Sequence, residues 1–344
     1  MSDKSWRQSH QQHGRGHSHP LRRLIAAALL GCLAAAAGAA EQALTPQLFE
    51  PGVISGPGND GAPTFSPDGR LLMFERSSGR RTFLLMAERG AKAWGMPRLA
   101  PFVEAGTSNQ QPAFSADGRE VIYVSNLLRG EQDAPGTRHP ARLVKVTRQG
   151  AAWSAPQPLP AQVNISARVF KPSLAANGDL YFMSDVGAGA PAAPQWKLFR
   201  ARRAGDGWAQ AEPVELPGKS QDDVDPCIAP DQSWLIFSSK GRAPRDDGHE
   251  HLFIAWRDGD RWREPVPVRY DGDDWGGDDG EANLGPGGRQ LFFMSDRVVP
   301  ARRTAGEPTP PAAAYAEMQQ WNNGNGNVWA LDLAEVLRRT RAPS

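Results

Sequence analysis

The chain has 344 residues, including 36 glycines and 30 prolines, and a formal charge of +1. So many turn formers, beside 40% hydrophobic and 22% charged residues, describe a globular chain of short strands rather than a disordered one. Two cysteines exclude a disulfide framework and a Cys-rich metal site, and a charge near zero excludes the broad basic face that nucleic acid needs.

Residues 1–23 are polar and basic and end in Arg22-Arg23; an apolar run follows from Leu24 to about Ala37. The small residues Ala37-Gly38-Ala39-Ala40 then precede Glu41. This order predicts a signal peptide over residues 1–40, removed on export to the periplasm or the medium. The run is too short to span a membrane comfortably, so no transmembrane span is expected after processing. Leu29-Leu30-Gly31-Cys32 matches a lipobox and makes a lipoprotein anchored at Cys32 the alternative. The residues after Cys32 stay apolar, which favours cleavage near Ala39 or Ala40. Removal of residues 1–40 takes the formal charge from +1 to −3 and leaves one thiol, Cys227.

One phrase then recurs five times over residues 41–344. It begins as APTFSPDGRLLMFER at Ala62, QPAFSADGREVIYVSN at Gln111, KPSLAANGDLYFMSD at Lys171, DPCIAPDQSWLIFSSK at Asp225 and EANLGPGGRQLFFMSD at Glu281. Pro63, Pro112, Pro172 and Pro226 mark the register, with Ala282 in the last copy. Each copy joins two β-rich runs by a turn such as Pro67-Asp68-Gly69, where Asp and Gly tolerate the positive φ a hairpin needs. The second runs (Leu71–Phe74, Val121–Val124, Leu180–Met183, Trp234–Phe237, Leu291–Met294) are apolar at consecutive positions, so both faces are expected to be covered.

A third strand is expected at Thr82–Ala87, Arg142–Thr147, Trp196–Ala201, His251–Trp256 and Asn327–Leu331. A polar hairpin leads on to Trp94, Trp153, Trp208 and Trp262, with Pro97, Pro156, Pro213 and Pro265 beyond. A strand carrying proline belongs at a sheet edge, because proline has no N–H for a ladder. Four strands per copy, edge strand last, describe a propeller blade. The fifth copy has no such edge strand and is expected to end in a charged tail after Leu333. Gln47–Ile54 supplies an orphan strand that would pair with the last blade and close the ring. The expectation is an all-β protein, a single β-propeller of five four-stranded blades; six blades would need a further copy.

The FSPDGR…LLMF phrase resembles the WD-like repeat of TolB-type β-propellers, and with the Trp-bearing hairpins it is similar to exported members of that group. The resemblance covers nearly all of residues 41–344. It departs at Asp231-Gln232 and Gly287-Gly288, where the Asp-Gly turn is missing. It implies a periplasmic or envelope location and a role in protein binding.

Strand alternation puts the Asp-Gly turns and Trp hairpins on one side of the disc and the channel mouth on the other. Just before the repeat prolines lie Asp60, then Asn109 and Gln111, then Arg168 and Lys171, then Asp222, Asp223 and Asp225, then Asp278, Asp279 and Glu281. The mouth is expected to be acidic in blades four and five and basic in blade three. Such carboxylates suit Ca²⁺ or a basic group, while aspartates at turns also serve simply as solvated caps. His249-Glu250-His251 puts two imidazoles on one side of a strand, but no third metal ligand is specified. No Gly-x-Ser-x-Gly elbow, HExxH or phosphate loop occurs, and no catalytic residue or cofactor beyond Ca²⁺ is assigned. The recurring tryptophans are expected to pack between strands. A long stretch over about 298–326, with Pro308, Pro310, Pro311, Tyr315, Met318 and Trp321, lies on the mouth side.

The expected function is that of an exported, monomeric binding or scaffold protein that recognises a protein partner or small ligand at the channel mouth. The alternative is a propeller lyase or hydrolase acting on a sugar or lactone through the acidic mouth residues and a divalent cation.

Overall fold

The computed structural model describes residues 43–78, 81–127, 140–186, 195–273, 276–299 and 310–341. Two units separate, Met1–Ala43 and Leu44–Ser344. The second is an all-β, five-bladed β-propeller. The signal-peptide segment and Cys32 lie outside the described residues, as do His139 and residues 300–309 of the long stretch.

The innermost strands are Asn59–Phe65, Thr107–Phe114, Val169–Leu174, Asp222–Ile228 and Asp279–Leu284. Each pairs antiparallel with the apolar second strand of its blade. Third strands follow at Thr82–Glu88, Ala141–Gln149, Gln195–Ala201, His251–Asp258 and Asn327–Asp332. The proline-bearing edges shrink to two residues each, Arg98–Leu99, Gln157–Pro158, Glu212–Pro213 and Val266–Pro267. In blade five the outer place is taken by Gln47–Leu48, paired with Trp329 and Ala330. Phe49 N–H continues the ladder to Val328 O at 2.9 Å, and the Phe49 ring meets Phe292 edge-on at 4.9 Å. The N-terminal strand thus closes the ring.

Side-chain alternation explains why the second strands are apolar throughout. In blade one, Leu72 and Phe74 pack toward blade five, with Ile54, Phe292 and Val328. Leu71 and Met73 pack toward blade two, with Val121 and Tyr123. Blade four repeats this: Trp234 and Ile236 face blade five, Leu235 and Phe237 blade three. Period two sends successive side chains to opposite faces, and here each face has a neighbouring blade. The buried core is therefore divided among the inter-blade seams, at about 25 cal/mol per Å² of apolar surface removed from water.

The chain after Leu333 is not a tail. Leu333–Thr340 is a helix, capped by Asp332, whose Oδ1 accepts from Glu335 N–H at 2.9 Å. Leu333 and Val336 are buried on blade five, while Glu335 binds Arg338 and Arg339 on the wet side. The charges that suggest a tail from sequence are the solvent face of an amphipathic turn. In the long stretch, Pro311–Met318 is a second helix with Tyr315 and Met318 exposed, and Trp321 packs edge-on against Trp329 at 5.9 Å.

Candidate functional site

Every innermost strand carries a bulge at the repeat proline, where its register with the second strand shifts. The residue before that proline, or before Ala282, is Ala62, Gln111, Lys171, Asp225 or Glu281, with φ of 44°, 52°, 47°, 53° and 54°. Left-handed backbone at a residue with a Cβ costs about 1–2 kcal/mol. It also takes the amide out of the ladder, so each N–H needs another acceptor.

The acceptors come from the preceding blade. Glu75 Oε2 accepts from Gln111 N–H at 2.9 Å, and Gln111 Oε1 from Lys171 N–H at 3.0 Å. Met183 Sδ lies 3.5 Å from Asp225 N, and Asp225 Oδ2 accepts from Glu281 N–H at 3.0 Å. Glu281 in turn takes the N–H of Ala62, which completes the circle. Gln111 Nε2 also donates to Glu281 Oε1 at 3.0 Å, and the fully buried Lys171 donates to Ala282 O at 3.0 Å and Asn283 Oδ1 at 3.2 Å. Room for this ring comes from glycine: a Cβ at Gly61 would strike Glu281 Oε2, and one at Gly280 would stand 2.9 Å from Asp225 Oδ2.

Two residues earlier on the same strands the acids behave differently. Asp60 is paired with Arg76 at 2.5 Å, and its Oδ2 accepts from Gly56 N–H at 2.8 Å. Asp223 is paired with Arg242 at 2.8 Å and accepts from Ser239 Oγ at 2.7 Å. Asp279 is paired with Arg297 at 2.6 Å, and Tyr270 OH bonds to both. Asp60, Asp223 and Asp279 are thus internal counter-ions within their blades. Asn109 and Val169 hold the same place in blades two and three.

Of the remaining expected residues, Asp222 Oδ1 accepts from Trp196 N–H at 2.9 Å, and Asp278 Oδ1 from Glu250 N–H at 2.9 Å. Arg168 lies 3.4 Å from Asp185 and 4.4 Å over the Trp196 ring, so the basic side of the mouth is largely neutralised. His251 is buried between Arg245 at 3.0 Å and Asp247 at 2.7 Å, while the exposed His249 sits 3.2 Å from Asp278. The two imidazoles do not share a centre, and among the described residues no three His, Cys, Asp or Glu side chains are grouped to hold a metal ion.

What the structure brings together is Asp225, Glu281 and Lys171, with Glu75, which the sequence reading did not single out, and Glu250, named there only between two histidines. Burial and then the charge of Glu281 push the Glu75 carboxyl well up. Burial and then Asp225 raise Glu281 to about 7, and burial raises Asp225 against the pull of Lys171. Glu250, half-buried, is pushed up to about 8 by burial and by Asp225, Asp278 and Asp222; Lys240 opposes them. Beside one buried ammonium there are four buried or half-buried carboxylates, and desolvation with like charge is why they hold protons.

The opposite side of the disc is regular. Arg89, Arg148, Arg203 and Arg257 each stand five residues before a hairpin tryptophan and lie over its ring, at 5.8, 6.0, 4.7 and 5.4 Å from the centroid. Grooves of about 1150 Å³ between blades one and two and about 950 Å³ between blades three and four open beside these stacks.

The arrangement defines a five-bladed β-propeller with a polar, internally bonded axis. No family model matches the chain, and no curated protein matches it. Among solved structures it is similar to the α-L-arabinofuranosidase from Lactobacillus brevis, at 11% identity and a TM-score of 0.51 over 82% of this chain and 92% of that one. It is also similar to a putative TolB from Agrobacterium tumefaciens, at 13% identity and a TM-score of 0.42 over 80% and 84%. TolB from Acinetobacter baumannii matches at 17% identity and a TM-score of 0.40 over 62% of this chain, which spans 44% of that protein's length. At these identities the likeness shows the fold alone. No helix among the described residues is long and apolar enough to cross a membrane.

Proposed function

We propose that this chain is an exported β-propeller binding protein of TolB-like type that takes a partner or ligand at the channel-mouth face. One observation carries the reading. Acids at the mouth fall into two sets: Asp60, Asp223 and Asp279 have an arginine each, whereas among the described residues the Glu250 carboxylate has no hydrogen-bond partner and neither has the buried Asp225 Oδ1. Acids left without a counter-charge in one sector, and holding protons for want of one, are what a basic partner relieves.

The test is photo-crosslinking in intact cells, with a photoreactive residue placed at Asp278 or, on the other face, at Lys92. A discrete adduct from the mouth position alone supports the reading. Adducts from Lys92 alone, or from neither position, overturn it.

A second reading, hydrolysis of a sugar or lactone, is favoured by Glu281, a carboxyl raised to about 7 beside the carboxylate of Asp225. Acid–base pairs in glycoside hydrolysis are separated in this way. Against it, the Glu281 carboxyl that would donate the proton is itself held in the ring, by Gln111 Nε2 and by the N–H of Ala62. Turnover of chromogenic glycosides that is lost in Glu281→Gln would establish it.

A further inference from the structure

We propose that the mouth seats a primary ammonium group, carried by a lysine side chain or a free alkylamine, against Asp225 and Glu250. The inference rests on the binding reading above and narrows its ligand. The acceptors set the chemistry. Asp225 is 7% exposed and has one oxygen occupied by Glu281 N–H, so only Oδ1 remains. Ser238, fully buried on the neighbouring strand, also has an Oγ without a partner, and it lies 3.7 Å from the place a Gly280 Cβ would take, beside Asp225 Oδ2. Glu250 adds a carboxylate with no hydrogen bond, close enough for Asp225 to be its strongest charged influence.

These are single oxygens on separate side chains. A guanidinium presents a planar fork that is best matched by both oxygens of one carboxylate. This fold uses that solution elsewhere: the Asp60–Arg76 pair is made through both carboxylate oxygens. An ammonium directs three donors to three separate acceptors. Lys171 already spreads its donors over separate acceptors in blade three, fully buried on Ala282 O and Asn283 Oδ1. A divalent cation needs six or more oxygens for Ca²⁺, and no three-ligand group is present among the described residues. Met183 and Met294 border the ring, and unbranched thioether side chains re-pack readily around an incoming group. Lys240 is the cation whose charge already reaches Glu250, so it competes with the ligand.

The full-length secreted form is titrated calorimetrically at low salt and about pH 8.5, where a lysine ammonium of pKa about 10.4 stays charged. The probes are acetyl-Gly-Lys-Gly-amide, its Nε-acetylated counterpart and butylamine. The unmodified peptide or butylamine is expected to bind, the acetylated peptide not to, and both Glu250→Gln and Asp225→Asn to weaken binding about tenfold. Lys240→Ala is expected to tighten it, and Asp258→Asn on the opposite side to leave it unchanged. Equal binding of butylamine and peptide assigns a free amine; much tighter peptide assigns a protein-borne lysine. Binding that survives acetylation or Glu250→Gln, or no binding of either amine, overturns the proposal. If the mouth crosslink nevertheless forms, the binding reading stands and only the ammonium assignment falls.

Discussion

Asp223 and Asp225 lie two residues apart on one strand and have opposite surroundings. Asp223 meets Arg242 and Ser239; Asp225 meets a backbone N–H with one oxygen and nothing with the other. Blade five repeats the contrast, with Asp279 on Arg297 and Glu281 on the axis. The bulge between the two positions turns the later residue inward, so one strand supplies a structural ion pair and an uncompensated acid within three residues. A charge paired inside its own blade stabilises that blade; a charge on the axis is shared by all five and is balanced only by Lys171 and by protons.

The largest effect is expected from breaking a pair. Arg297→Met leaves Asp279 and Tyr270 buried without their cation and removes stacking on Phe293 and Trp329. A loss of about 3–5 kcal/mol is expected, measured by denaturant unfolding. Arg76→Met, at a pair whose arginine is 32% exposed, should lose less.

Next comes the axis. Glu281 has a folded pKa of about 7 against 4.5 in a free chain, so the folded state holds a proton that the unfolded state releases. Its contribution is full below about pH 4.5 and is lost as pH rises through 7. The fall is on the order of 3 kcal/mol, and Glu250 extends it toward pH 8. Glu281→Gln should flatten this decline between pH 5 and 8 (about three units). A decline as steep as the parent's would show that the axial acids titrate normally.

The smallest effect is expected from the opposite face. Arg203→Leu removes one stack over Trp208, worth about 0.5–1 kcal/mol, and should leave the pH profile unchanged.

The blades, their order and the closing strand were legible because the repeat phrase carries turn and strand chemistry together, and Gln47–Leu48 has no other place to pair. The Arg–Trp stacks were not read, though an arginine stands five residues before the tryptophan in all four hairpins. The mouth residues were found as a stretch but could not be sorted into paired and unpaired acids, because sorting depends on the bulge and its positive φ. A signal did exist: Asp60, Asp223 and Asp279 occur in copies that also carry Arg76, Arg242 or Arg297 at or just past the end of the second strand. Glu75 was missed because it sits inside a run that reads as ordinary strand, and Glu250 was read only between His249 and His251, as part of a metal motif. The final helix was missed because its charged residues hide the Asp332-x-x-Glu335 cap.

The most direct test compares Asp279→Asn with Asp225→Asn by unfolding at pH 8, where the axial acids are under most strain of charge. Asparagine keeps the shape and one acceptor oxygen in each case. Asp279→Asn is expected to cost about 3 kcal/mol or more, while Asp225→Asn is expected to be neutral or stabilising by about 1 kcal/mol. Equal losses at the two positions would contradict it.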